Sequence, residues 1–214
     1  MSGFLKLPLV ARDKFELVRQ HHYVGDNKSI FYNYVLNHLC NWIVEWFPKW
    51  LAPNMITLIG FLVNLIPSVL IFYIYDYNLD GDLDPWFCYL IGVSYTIYIV
   101  LDNCDGKQAR RTGNSSPLGM IFDHQCDAIV SVINNLLLQR MMQMGNSQYS
   151  LLNLGICTLP FYFVLLEQYY TDEMNFPPIN GVDEGSLLYL VMSIMTGVRG
   201  SRNLWLSKFT LFGQ

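Results

Sequence analysis

Four aspartates lie in the most apolar part of this 214-residue chain: Asp102, Asp105, Asp123 and Asp127. A carboxylate at the depth of a membrane is costly unless it is paired, solvated in a cavity or bound to a cation. Carboxylate oxygens are also the ligands that hard divalent cations prefer. The four together therefore predict a metal site, for which Mg²⁺ or Mn²⁺ fits best.

Helical spacing places these aspartates on two faces. The first pair shares one helix face with Ala109, at spacings of three and four residues. On the next helix Gly119 precedes the second pair, and the three residues stack at intervals of four. Small residues beside the acids leave room for a substrate. The two faces predict a cage for two cations that keeps coordination sites for phosphate oxygens.

Basic residues near the acids indicate the chemistry. Arg110 can clamp a phosphate group and Lys107 adds positive charge, so we expect a substrate that contains pyrophosphate. His124, beside Asp123, could accept the proton of an attacking hydroxyl. Each residue alone has an ordinary explanation, such as a helix cap or a satisfied polar side chain, but the set favours phosphoryl transfer. An ion pathway is the alternative, and it leaves Arg110 and the glycines unexplained.

The elements that carry these residues are membrane helices. The composition is 52% hydrophobic and only 14% charged, which is typical of a membrane protein. Four apolar runs approach or exceed the roughly 20 residues of a spanning helix: 55–75, 86–101, 118–141 and 149–166. A fifth run, 185–198, is short and is either a full or a partial element. The predicted fold is an all-α transmembrane bundle of four to six spans.

Two segments precede the spans. Residues 1–31 are polar and charged, without the apolar stretch of a signal peptide, and predict a cytosolic N-terminal arm. Residues 32–51 place Trp42, Trp46 and Trp50 on one helical stripe. Because indoles favour the headgroup level of a bilayer, we expect an amphipathic helix lying on the membrane. Residues 32–214 are assigned to one transmembrane domain.

Charge and cysteine usage orient the bundle and exclude some partners. Lys107, Arg110 and Arg111 place the end of the second span in the cytosol, and the acidic loop 76–85 is then on the other side. The formal net charge is only -4 and no basic tract is present, so nucleic acid is not an expected partner. The five cysteines lack a Cys-x-x-Cys pair, which argues against zinc and disulfides.

The spacing also matches a known pattern. The run Asp102-x2-Asp105-Gly106-x2-Ala109-Arg110-x8-Gly119-x3-Asp123-x3-Asp127 resembles the complete signature of the CDP-alcohol phosphotransferase family. Segments 105–112, 116–119, 122–124, 52–57 and 179–185 resemble the eukaryotic choline and ethanolamine phosphotransferases in particular. The resemblance covers most of residues 36–205.

The resemblance implies a membrane enzyme with a polar chamber that opens to the cytosol. It would transfer phosphocholine or phosphoethanolamine from CDP-choline or CDP-ethanolamine to diacylglycerol, giving phosphatidylcholine or phosphatidylethanolamine and CMP. Mg²⁺ or Mn²⁺ would be the cofactor, as a two-metal site. The lipid bilayer is the other partner, and a homodimer is compatible with the family. The endoplasmic reticulum or Golgi is the expected home by analogy.

Residue roles follow from the same resemblance. The four aspartates would bind metal. His124 would be the base that activates the diacylglycerol hydroxyl in this branch, and Asp127 is the family's other candidate for that catalytic role. The nucleotide would be bound at Asn54, Gly106, Ala109, Arg110 and Gly119.

The chain departs from the choline and ethanolamine branch in two ways. Met120 stands where those enzymes usually have Glu, one turn before His124, and a thioether cannot stabilise an imidazolium. Those enzymes also continue through several more helices, so the chain is a fragment, a short form or a degenerate member. The alternative function is therefore a catalytically degenerate member acting as a membrane scaffold, lipid-binding protein or complex subunit. A member with another acceptor, such as inositol or glycerol phosphate, is disfavoured by the flanking segments.

Overall fold

The computed structural model describes residues 24–81 and 83–206, and this part is almost entirely helical, as predicted. A single π-helical turn, Tyr32–Leu36, leads into the first α-helix. The elements in chain order are β1 (Val24–Asn27), α1 (Asn37–Trp46), α2 (Pro53–Ile74), α3 (Pro85–Thr112), α4 (Pro117–Met141), α5 (Gln148–Thr171), β2 (Glu173–Phe176), α6 (Asp183–Arg199) and α7 (Ser201–Trp205).

Three of the described helices, α2, α3 and α5, are long and apolar enough to cross a membrane. They confirm three of the four apolar spans that the sequence predicts. The fourth, α4, forms at the expected place and is 25 residues long, but it is not apolar enough to join the three. The physical reason is that Asp123, His124 and Asp127 lie within it.

Local sequence fixes the helix boundaries around the aspartates. Helices α2, α3 and α4 each begin with a proline, whose fixed φ and missing N–H suit the first turn. Helix α3 ends at Thr112 and is followed by Gly113, which adopts a left-handed conformation with φ 68°. Ser116 caps α4 by accepting a hydrogen bond of 3.1 Å from the Gly119 amide. The two aspartate-bearing helices are therefore joined by a short turn.

Helix α3 is the centre of the bundle and contacts α1, α2, α4 and α6. Its contact with α6 depends on Gly92, because a Cβ there would lie 1.9 Å from the Ser193 Oγ. Close approach of two helices at a small residue is the usual device inside membranes. The largest buried apolar cluster lies where α2, α3, α4 and α6 meet and includes Ile71, Phe87, Leu137 and Tyr189.

Helix α6 resolves the status of the short fifth run. At its start, the Asp183 carboxylate accepts a hydrogen bond of 2.9 Å from the Asn27 side chain. Just past its end, the Ser201 hydroxyl accepts one of 3.0 Å from Gln143, which also donates to the Gly81 carbonyl in the α2–α3 loop. These contacts lie at opposite ends of the bundle. The segment is thus a helix of 17 residues that crosses the whole bundle.

Helix α1 has the amphipathic surface that the sequence predicts. Leu36, at its N-cap, and Cys40 and Val44 within it are buried, whereas Trp42 and Trp46 are 59% and 75% exposed. The predicted extension to residue 51 is wrong, because Pro48 forces the preceding residue into an extended conformation and the helix ends at Trp46.

The described end of the predicted N-terminal arm contacts the loop before α6. Residues 1–23 lie outside the described part of the chain, but β1 pairs in parallel with β2 in the loop before α6. Two Glu184 oxygens reinforce this contact: Oε1 accepts hydrogen bonds from the Ser29 hydroxyl at 2.7 Å and the Phe31 amide at 3.1 Å, and Oε2 accepts one from the Asn180 amide at 2.9 Å. The ribbon was not predicted, since Gly, Asp and Asn are poor strand formers.

Candidate active site

Three of the four predicted aspartates meet between α3 and α4. Carboxylate oxygens of Asp102, Asp123 and Asp127 all lie within 4.8 Å of one another. Asp102 comes from α3, and the other two stack one turn apart on α4. Oxygens bound to one Mg²⁺ or Ca²⁺ lie about 2.0–2.6 Å from the ion, so this spacing suits a shared cation. The triad could therefore hold a metal ion.

The bonding of these oxygens fits a cation. The Oδ1 atoms of Asp102 and Asp123 are buried and have no hydrogen-bond partner within the described residues. Buried polar atoms are normally satisfied, and an unpaired buried charge is costly. A bound divalent cation would supply the missing partner.

The fourth predicted ligand, Asp105, lies beside the triad and is not a member of it. Its side chain is buried and accepts a hydrogen bond from the Thr57 hydroxyl on α2. Its carboxyl group is close enough to Asp123 for the two to interact. The structure thus gathers three of the four predicted ligands and holds the fourth against α2.

Two site residues, Tyr98 and Thr57, were not predicted from the sequence. The Tyr98 hydroxyl donates a hydrogen bond of 2.7 Å to Asp127 Oδ1, and Thr57 holds Asp105 as described. A signal was present, because Tyr98 stands four residues before Asp102 on the same helix face. Thr57 likewise stands three residues after Asn54, a predicted site residue on the same helix, so the two share a helix face.

The residues predicted to contact a nucleotide lie at the same end of the bundle. A Cβ on Gly119 would lie 3.1 Å from the Asn54 side-chain oxygen, so Asn54 occupies the space beside that glycine. A Cβ on Gly106 would lie 3.5 Å from Arg110 Nη1, which is ordinary contact. Ala109 is half-buried and Arg110 is exposed, so its guanidinium is accessible to a ligand.

Helix α1 docks onto α3 through the neighbours of Arg110. Arg111 Nη1 donates hydrogen bonds to the carbonyls of Val44 at 2.6 Å and Phe47 at 2.8 Å, which cap the end of α1. Lys107 Nζ contacts Asn37 Oδ1 at 2.5 Å, so the predicted positive charge of Lys107 is held by the start of α1. Arg110 and Arg111 are both exposed, and among the described residues it is Arg111 that donates hydrogen bonds to α1.

The candidate base His124 is half-buried on α4. Met120 lies one turn before it, and its sulfur lies 3.7 Å from Gln168 Nε2 on α5. The position at which the family resemblance implies Glu is therefore filled by a thioether that contacts a neutral amide. No carboxylate stands one turn before His124 on this helix.

Comparison with known proteins identifies the family. Residues 50–197 match the CDP-alcohol phosphatidyltransferase family. The chain is 36% identical over 194 residues to the uncharacterized CDP-alcohol phosphatidyltransferase class-I family protein 3 of Dictyostelium discoideum, covering 90% of this chain and 48% of the relative. It is 36% identical over 184 residues to choline/ethanolaminephosphotransferase 1 of Arabidopsis thaliana, covering 86% of this chain and 46% of the relative. It is 32% identical over 191 residues to a CDP-diacylglycerol–serine O-phosphatidyltransferase of Encephalitozoon cuniculi, covering 89% of this chain and 49% of the relative.

The chain spans about half the length of the curated relatives that it matches. The family match begins just before α2 and ends within α6, so it includes both aspartate-bearing helices. It confirms the resemblance that the signature indicated. The matched residues also include the three aspartates that meet between these helices. The chain therefore belongs to the CDP-alcohol phosphatidyltransferase family.

Proposed function

We propose that the protein transfers phosphocholine or phosphoethanolamine from CDP-choline or CDP-ethanolamine to diacylglycerol, giving phosphatidylcholine or phosphatidylethanolamine and CMP. The observation that carries this proposal is the meeting of Asp102, Asp123 and Asp127 at the end of the bundle where Arg110 is exposed. The choline/ethanolaminephosphotransferase name of a relative at 36% identity supports this choice of substrates.

The aspartates would hold Mg²⁺ or Mn²⁺. Asp102, Asp123 and Asp127 would be the shared ligands, and Asp105 beside them would add a fourth carboxylate, so that four ionised carboxylates would balance two divalent cations. When bound, these cations would neutralise the charge that develops on the pyrophosphate oxygens as the bond to CMP breaks.

The other residues bind the substrate. Arg110 is proposed to bind the pyrophosphate oxygens, for which a guanidinium is well shaped. Asn54, beside Gly119, is proposed to contact the nucleotide, and Gly106 and Ala109 leave space for it. These residues fix the headgroup-bearing phosphorus in position for attack.

Proton removal is assigned to His124. The diacylglycerol hydroxyl forms a bond to the headgroup-bearing phosphorus, the bond from that phosphorus to the CMP oxygen breaks, and the hydroxyl proton passes to the imidazole. Asp127 is the other candidate base. Its Oδ1 already accepts the Tyr98 hydrogen bond, which makes it a weaker proton acceptor and favours His124.

Transferase activity can be measured on the purified protein in vesicles that contain diacylglycerol. Radiolabelled CDP-choline and CDP-ethanolamine are supplied separately with Mn²⁺ or Mg²⁺, and we expect CMP release with formation of the matching phospholipid. A third arm supplies CDP-diacylglycerol and serine, because one relative is a serine transferase. Labelled phosphatidylserine alone would replace the proposed substrates, and no CMP release in any arm would overturn the proposal.

The second candidate function is a non-catalytic membrane scaffold, lipid-binding protein or complex subunit. It is favoured by one observation, the contact of Met120 with Gln168 where a carboxylate is expected. If the natural chain is silent and Met120→Glu makes it active, this second candidate is correct. Activity of the natural chain would exclude it.

The proposed location is the membrane of the endoplasmic reticulum or Golgi. The three apolar spans support a membrane protein, and the organelle follows only from the family. Co-localisation of a tagged full-length protein with organelle markers tests this proposal.

A further inference from the structure

The four aspartates fall into two classes by what their oxygens contact. Asp105 and Asp127 each accept a hydrogen bond from a buried hydroxyl group on another helix. Asp102 and Asp123 each keep a buried Oδ1 that has no partner in the described part of the chain. Buried oxygens are normally satisfied, so a division into held and unpaired carboxylates is not expected of residues that only fill a core.

The two hydroxyl donors are buried side chains that bridge helices. Tyr98 is 1% exposed and links α3 to Asp127 on α4 at 2.7 Å, a distance typical of a hydroxyl bound to a carboxylate. Thr57 is 2% exposed and links α2 to Asp105 on α3. The Thr57 bond is buried and the Tyr98 bond is partly buried, so competition from water for the two carboxylates is reduced.

A donor on one carboxylate oxygen fixes the orientation of the group and leaves the other oxygen as the ligand. The Tyr98 bond does more, because Tyr98 lies one turn before Asp102 on α3. It therefore ties the helix that carries Asp102 to the carboxylate of Asp127, and so sets the separation of two members of the triad.

We propose that Tyr98 and Thr57 are positioning residues of the cation site. They hold Asp127 and Asp105 in the orientation in which these residues, with the unpaired oxygens of Asp102 and Asp123, bind a divalent cation. This inference rests on the proposed function, since it takes the aspartates to be cation ligands. A purely structural role would instead lower the stability of the bundle and leave cation affinity unchanged.

The chain offers a matched control for each donor. Tyr189 also has a buried hydroxyl, but it has no hydrogen-bond partner in the described residues. Thr158 is a threonine on another helix whose hydroxyl donates to the Leu154 carbonyl of its own helix, so it reaches no aspartate. Removing these two hydroxyls changes packing and polarity without touching the site.

The test measures binding of Mn²⁺ to the purified protein in vesicles without substrate. Electron paramagnetic resonance reports how much of the Mn²⁺ is bound. Tyr98→Phe and Thr57→Val should each weaken binding roughly 10- to 100-fold. Tyr189→Phe and Thr158→Val should bind as the natural protein does. Thr57→Ser keeps the hydroxyl and should keep the affinity.

The outcomes separate this inference from the proposed function. If the natural protein binds Mn²⁺ and both Tyr98→Phe and Thr57→Val bind it equally well, the inference is wrong and the proposed function stands. If the natural protein binds no Mn²⁺, the proposed function fails and the inference fails with it. Should Tyr98→Phe not fold, the comparison of Thr57→Val with Thr57→Ser decides.

Discussion

Gln168 on α5 donates a weak hydrogen bond to Met120 on α4, with 3.7 Å between Nε2 and the sulfur. Met120 is one turn before His124, so it occupies the place from which a side chain could act on the imidazole. A thioether is a weak acceptor and carries no charge. The half-buried imidazole therefore gains no stabilisation from this position when it takes up a proton.

Met120→Glu should raise the rate of CMP release. A carboxylate at this position would stabilise the protonated imidazole, and effective proton transfer contributes up to about 10²–10⁴-fold to enzymatic rates. We expect an increase of about tenfold or more, measured with CDP-choline and diacylglycerol. Met120→Gln is the matched control, because a Gln side chain has nearly the same shape as Glu and carries no charge. Equal rates for the Glu and Gln variants would contradict the prediction.

Asp123→Asn should abolish transfer. The substitution keeps the shape of the side chain but removes one negative charge from the triad and replaces a ligand oxygen by an amide nitrogen. We expect a loss of at least about 10²-fold in CMP release, a size comparable to that of losing one electrostatic contact in other enzymes. Asp172→Asn is the control, since residue 172 is exposed with φ 58°, a conformation that Asn adopts readily.

Helical periodicity was sufficient to predict the two aspartate faces, because membrane helices have regular spacing and the acids stand out in an apolar background. It did not find Thr57, since a threonine hydroxyl in an apolar helix usually bonds its own backbone. It did not find Tyr98 either, because a tyrosine hydroxyl bonds whatever its ring reaches. Which neighbouring helix it reaches depends on packing. The end of α1 could have been read from Pro48. The pairing of β1 with β2 could not, because it depends on a partner almost 150 residues away.

Gly92→Ala should destabilise the bundle without changing the site directly. The added methyl group would lie 1.9 Å from Ser193 Oγ and 3.0 Å from its Cβ, so the Ser193 hydroxyl would have to rotate and α6 to shift slightly away from α3. Overpacking of this kind costs about 1–3 kcal/mol of unfolding free energy. The control is Gly155→Ala on α5, where the nearest atom to an added Cβ is 3.9 Å away. Thermal unfolding of both variants in detergent checks the prediction, and an equal effect would contradict it.

Glu184→Gln should weaken the pairing of β1 with β2 that holds the N-terminal arm against the loop before α6. The natural carboxylate accepts hydrogen bonds on both oxygens, from Ser29 and Phe31 on one and from Asn180 on the other. An amide has only one acceptor oxygen, and its other terminal atom is an NH₂ group. In the variant this NH₂ group would face an N–H or O–H donor, and neither of the two would have an acceptor. Leaving a partly buried donor unsatisfied costs about 1–3 kcal/mol.

The measurement is hydrogen exchange of two backbone amides that join the arm to the β2 loop. The Lys28 amide donates to the Phe176 carbonyl at 3.0 Å and the Ile30 amide to the Pro178 carbonyl at 3.1 Å. Both should exchange faster in Glu184→Gln, because the local opening that exposes them becomes less costly. Glu167→Gln, at an exposed position on α5, should leave both rates unchanged. Unchanged exchange in Glu184→Gln would show that backbone pairing alone holds the arm in place.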